Sequence, residues 1–171
     1  MDIKTIIFDI DGVLIEADKE VRIQKYKDLF RQGMELVKSK NYAGSSWLFA
    51  EMKRRYDNGE YKVNPKYYKL INKDTHKILS ELEKRYDLFA CSLASKSVTM
   101  EKLKITGLMR YFKDILLKPL GVGRKEIAVV DDRFNSGFGN GFYIIKFNHG
   151  QHKKEEGVCD MQIDNIKELL N

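Results

Sequence analysis

The chain has 171 residues, 43% of them hydrophobic and a third charged, with 31 basic against 25 acidic side chains. That length suits one domain with a modest insertion, and that composition excludes a disordered or fibrous chain. The net charge of +6 is spread without a basic tail or block, so it argues only weakly for nucleic acid and more safely for small anionic, phosphorylated ligands. Cys91 and Cys159 form no CxxC pair and no disulfide framework, which suits a reducing compartment. No leader precedes the first apolar run and no run is long enough to span a bilayer, so the expectation is a cytoplasmic protein without a membrane partner.

The first element is the apolar run that ends in Phe8-Asp9-Ile10-Asp11-Gly12-Val13-Leu14. Such a run reads as a central parallel strand buried on both faces, and ligands bind where such strands end. Asp9 and Asp11 then stand at the mouth of a site, and Gly12 lets the backbone turn away. Residues 16–72 carry helical spacing and no strand pattern. One helix is expected from an Asp18 cap through Val21, Leu29 and Val37, and a turn over Asn41–Ser46. A second helix starts at Ser45 or Ser46 and stops at Asp57-Asn58-Gly59. A short helical piece after Asn64-Pro65 carries Tyr67, Tyr68 and Leu70.

Strand and helix patterns then alternate. Asp74 caps a helix through Ile78, Leu79 and Leu82, and Leu88-Phe89-Ala90-Cys91 leads to Ser92. Ser97 caps a helix that stops at Gly107. Ile115-Leu116-Leu117 ends at Lys118-Pro119, and Ile127 to Val130 ends at Asp131-Asp132. Phe142 to Phe147 is a fifth strand, and Asn165 to Leu170 closes the chain as a helix. The alternation predicts an α/β fold, a doubly wound parallel sheet with an inserted α-helical unit. The core spans 1–15 and 73–171, and the insertion spans 16–72.

Several predicted strands end in chemistry: Asp9 and Asp11, Ser92, Lys118, and Asp131 with Asp132. Four carboxylates at one sheet edge need a cation among them, and all-oxygen donors suit Mg²⁺. Carboxylates, a metal, a hydroxyl and a lysine together suit phosphoryl transfer. His149 and His152 have HxxH spacing but sit in a polar loop and read as surface. Gly121-Val122-Gly123 reads as a turn.

These stretches resemble the four motifs of the haloacid dehalogenase-like (HAD) superfamily. Phe8 to Leu14 is similar to its DxDGxL motif, and Phe89 to Ser92 to its second. Lys118-Pro119 is similar to the third, and Val129 to Asp132 to the double-aspartate form of the fourth. The resemblance implies a HAD-type Rossmannoid core with a small helical cap over residues 16–72. It implies Asp9 as nucleophile and Asp11 as general acid and base. Mg²⁺ would be held by Asp9, the Asp11 carbonyl and Asp132, with Asp131 beside them. Ser92, Lys118 and Gly12 would meet the phosphate. Ser95 competes for the role of Ser92, and Arg124 or Lys125 for that of Lys118. The implied activity is a Mg²⁺-dependent phosphatase acting on a small phosphorylated metabolite. A phosphomutase of the same fold, a nucleic-acid end phosphatase and a weakly catalytic binding protein stay open. A dehalogenase of the superfamily would lack Asp11. One departure stands out: only Leu120 to Glu126 lie between Lys118-Pro119 and the next strand, where parallel strands normally need a dozen residues or more.

Overall fold

A computed structural model describes residues 2–17, 33–57, 68–134 and 138–171. The core elements are β1 (Thr5–Asp9), α2 (Thr75–Leu82), β4 (Asp87–Ser92), α3 (Lys96–Ile105), β5 (Ile115–Leu117), β6 (Ile127–Asp131), β7 (Tyr143–Phe147) and β8 (Met161–Ile163). The insertion contributes β2 (Ile15–Ala17), α1 (Tyr42–Asp57) and β3 (Tyr68–Leu70). Six strands form one parallel sheet in the order β5-β4-β1-β6-β7-β8. The chain winds outward from β1 to β5, returns to β6, and winds outward again to β8. That reversal between β1 and β6 is the doubly wound order, and it opens a crevice at the carboxyl ends of these two strands.

Alternation along each strand divides the side chains between two faces. Ile6, Phe8, Leu88, Ala90, Ala128, Val130, Ile145 and Phe147 share one buried cluster with Ile78, Leu79 and Leu82 of α2 and Leu103 of α3. Helix α2 buries those three leucine and isoleucine side chains at helical spacing. Gly107, at φ +70°, ends the turn after α3. The opposite face carries Ile7, Cys91 and Val129, covered by Leu120 and Phe142. Among the described residues its crossovers carry no α-helix, only a single 3-10 turn at Gly150–His152.

The short connection after β5 has a geometric solution. It must cross three inter-strand steps, roughly 14 Å, and drop one strand length, roughly 16 Å, or about 21 Å along the diagonal. Residues 118–126, fully extended, reach roughly 30 Å, so a straight strap suffices without a helix. The strap is tied to the loop before β7: the Gly123 N–H donates to the Asn140 carbonyl at 3.0 Å, and Leu120 bridges to Phe138. A Cβ on Gly139 would stand 2.1 Å from the Gly121 carbonyl oxygen, so that crossing requires glycine.

Four local expectations are corrected. Residues 68–70 are a strand rather than a helical piece, and residues 15–17, where the insertion showed no strand pattern, form its partner. They pair antiparallel, with Ile15 opposite Leu70 and Ala17 opposite Tyr68. Three residues are too few to show alternation, and each finds its partner at the far end of the insertion. Asn41 is not in a turn but caps α1, its side-chain oxygen accepting from the Gly44 N–H at 3.0 Å. Ser95 rather than Ser97 caps α3, accepting from the Val98 N–H at 3.4 Å. The closing helix is of the 3-10 type, Ile166–Leu170, with a capping box between Asn165 and Glu168. The helix expected from Asp18 lies outside the described residues except for a helical stretch over 33–38, as do Asn58-Gly59 and Asn64-Pro65.

Candidate active site

Asp9 ends β1 and Asp131 ends β6, on the same side of adjacent strands. Both are buried, as is Asp132 one residue further on. Carboxylate oxygens of the three lie within 4.8 Å of one another. Like charges so close require an opposite one, and Lys118 supplies it from the end of β5. Its ammonium lies 2.7 Å from Asp9 Oδ1 and 2.5 Å from Asp131 Oδ2, and 5.0 Å from the centre of the Phe138 ring. The strap thus begins with Lys118 inside the cluster.

Asp9 is raised to about 8, because burial and the Asp131 charge outweigh the ion pair with Lys118. Asp132 is raised as well, first by burial and then by Asp131. Burial alone would lower Lys118, but Asp9 and Asp131 together hold its ammonium above the ordinary lysine value. The cluster is therefore short of positive charge even with the lysine in place.

The two neighbouring aspartates differ in their partners. Asp131 accepts from Lys118 on one oxygen and from the Arg133 N–H, at 2.8 Å, on the other. Among the described residues none donates a hydrogen bond to the Asp132 carboxylate, a buried acceptor left over. Its backbone carbonyl accepts from Lys146, a lysine buried inside β7 whose ammonium also donates to the His152 carbonyl at 2.9 Å. Three hard oxygen donors with one buried carboxylate unsatisfied fit a small divalent cation such as Mg²⁺.

Gly12 sits at φ +96°, and a Cβ there would stand 2.4 Å from Asp132 Oδ2. Its N–H donates to the Ile15 carbonyl at 2.9 Å, so what the glycine contributes here is room for Asp132. Asp11 lies apart from the three clustered carboxylates, both its oxygens held by Lys102 of α3 at 2.7 and 2.8 Å. Ser92 ends β4 one step beyond Cys91, which is the register partner of Asp9. Its hydroxyl accepts from the Ala94 N–H at 3.0 Å, and among the described residues it is not hydrogen-bonded to Asp9, Asp11 or Lys118. Its carbonyl accepts from the Lys118 N–H at 3.0 Å, which sets the strap against the strand end.

Of the competing residues, Ser95 caps α3, and Lys125 pairs with Asp160 at 3.0 Å. His149 stacks on Phe147 and faces Glu16 at 3.7 Å. Cys91 is fully buried in the core, which pushes its thiol up out of reach of nucleophilic use. Sequence reasoning missed Lys102 and Lys146. Each is a lysine on an otherwise buried stripe or strand, a placement that requires a partner and is visible in the pattern.

The chain has the HAD-superfamily fold. A HAD phosphatase from Thermococcus onnurineus is 20% identical over 98% of this chain and 96% of its own, with a TM-score of 0.64. A predicted phosphatase from Clostridium acetobutylicum is 11% identical over 99% and 97%, with a TM-score of 0.69. The L-2-haloacid dehalogenase of Xanthobacter autotrophicus is 13% identical over 98% and 97%, with a TM-score of 0.59. No curated protein matches in sequence. Among the described residues no helix is long and apolar enough to cross a membrane. The family model described as "Protein of unknown function (DUF2608)" matches residues 3–116, and the chain belongs to that family.

Proposed function

We propose that this DUF2608 protein is a Mg²⁺-dependent phosphatase, hydrolysing a small phosphomonoester through an aspartyl-phosphate on Asp9. The observation that carries the reading is Lys118 clasped between Asp9 and Asp131, with Asp132 completing a buried carboxylate group. That arrangement suits a phosphate dianion, because attack by a carboxylate needs neutralised charge above all. The phosphatase from Thermococcus onnurineus, similar in fold, accords with it.

Asp9, Asp132 and the Asp11 carbonyl would hold the cation, while Asp131, with both oxygens engaged, stays behind Lys118. Bound there, Mg²⁺ supplies charge neutralisation for the carboxylates and the phosphate. An Asp9 oxygen attacks phosphorus, the bond from phosphorus to the leaving oxygen breaks, and Asp11 gives that oxygen its proton. Asp11 then takes a proton from water, whose oxygen attacks phosphorus. The bond to Asp9 breaks, and free phosphate and the original carboxylate are restored. Lys118 balances the charge on nucleophile and phosphate, and Ser92 donates to a phosphate oxygen. The insertion acts as a cap that sheds water, which favours small soluble substrates.

Phosphate release from p-nitrophenyl phosphate tests the reading. Turnover is expected with Mg²⁺, to vanish with EDTA, and to fall by at least about a thousandfold in Asp9→Asn. Full activity in that variant would dismiss Asp9 as the nucleophile. A panel of sugar phosphates, phosphoglycolate and nucleoside monophosphates then identifies the substrate class.

A further inference from the structure

We infer that Lys102 is a positioning residue for Asp11, setting that carboxylate from α3 and from the strand that ends the insertion. The inference rests on the phosphatase reading, in which Asp11 serves the leaving group.

The helix places Lys102 among the buried side chains Val98, Thr99 and Leu103, where the pattern calls for an apolar residue. Its side chain is only 6% exposed, against 46% for Asp11. Ordinary surface pairs in this protein are open at both ends, as Lys84 and Glu81 are at 63% and 48%. Exposed pairs of that kind contribute little and hold neither partner. Lys102 differs because its ammonium has left water, and a buried ammonium needs an acceptor.

Among the described residues Asp11 is that acceptor, through both oxygens. Two hydrogen bonds to one ammonium fix the carboxylate plane as well as its distance. The second contact of the ammonium is the ring of Tyr68, whose centre is 5.4 Å away. That geometry is a cation–π contact. Tyr68 belongs to β3, paired with Ala17 of β2, so one lysine touches a core helix, the insertion's base and the aspartate. Swinging Asp11 away from its place would strand the charge of Lys102 in a buried position. The aspartate therefore stays where α3 and β3 put it.

The test compares Lys102→Met with the wild type, both with Mg²⁺, on two esters that share the phosphoryl group and differ in leaving group. One is p-nitrophenyl phosphate, whose leaving group departs without help, and the other is glycerol phosphate, whose alkoxide needs a proton. A misplaced Asp11 is expected to lower kcat/KM, which reads only the steps through departure of the leaving group, about 10- to 100-fold on glycerol phosphate and less than about threefold on p-nitrophenyl phosphate. kcat itself falls on both esters, because Asp11 also activates the water that the two reactions share. In the Asp11→Asn background the same substitution costs nothing more, since the residue it positions no longer acts. Equal losses of kcat/KM on the two esters, or multiplied losses in the double variant, would show a merely structural lysine and overturn the inference. If Lys102→Met does not fold, Lys102→Gln keeps a donor and a similar length and is read the same way. A wild type inert toward both esters would instead overturn the phosphatase reading and this inference with it.

Discussion

The two faces of the central sheet are built by different means. On one, α2 and α3 press leucine and isoleucine side chains onto Phe8, Ala90 and Val130. On the other, the strap over 118–126 and the loop before β7 lay Leu120 and Phe142 over Ile7, Cys91 and Val129. Alternation assigns Asp9, Asp131 and Lys146 to this second face, where thin cover leaves space for charge. A helix there would bring more apolar surface and would not end in Lys118. The helical face thus supplies packing, while the strap face supplies the buried charged groups of the candidate site.

Stability measured with and without metal separates the faces. Lys118→Met leaves Asp9 and Asp131 facing each other without their cation. The expected loss is about 3–5 kcal/mol in urea unfolding, and Mg²⁺ recovers part of it. Phe8→Ala, on the helical face, is expected to cost about as much, roughly 3–5 kcal/mol, with no recovery by Mg²⁺. The same Mg²⁺ response in both variants would erase the distinction.

A smaller effect is expected at Gly12→Ala. The positive φ costs about 1–2 kcal/mol, and the new methyl must push the Asp132 carboxylate aside. Calorimetric titration should show weaker Mg²⁺ binding as well as lower stability. Unchanged affinity would mean that Asp132 is not a ligand.

The smallest effect concerns the far end of the strap face. Asp160 is held below its ordinary value of 3.8, chiefly by the Ile144 N–H at 2.8 Å, with Lys125 adding to it against the opposing effect of burial. A depressed folded-state value contributes stability above the unfolded value, and that contribution is lost as pH falls through the folded one. Asp160→Asn should therefore melt about 2 °C below wild type at pH 6, with the gap closing below pH 3. A gap that persists at pH 2.5 would assign the effect to lost hydrogen-bond geometry rather than to charge.

Much of this arrangement was legible before any coordinates. Apolar runs ending in Asp9, Ser92, Lys118 and Asp131 mark strand ends, because a buried parallel strand is continuously apolar and its end is not. The core helices were legible by their stripes, and Cys91 by its apolar neighbours. Less legible were features whose cause lies far along the chain. Strand β2 is a strand because β3 arrives beside it, and Ser95 is a cap because α3 begins two residues earlier than a cap at Ser97 would have it. The nine-residue path from β5 to β6 looked too short until the sheet order showed that a diagonal needs no helix.

Asp9, Asp11 and the Asp131-Asp132 pair are therefore properties of the primary structure, since local periodicity alone brings each to the end of a strand or just beyond it. Their division of labour is not. That Asp131 spends both oxygens on Lys118 and Arg133 while Asp132 keeps its own, and that Asp11 turns to Lys102, depends on which strands become neighbours. Charge acts through space, and the chain acquires its distances in space only when it folds.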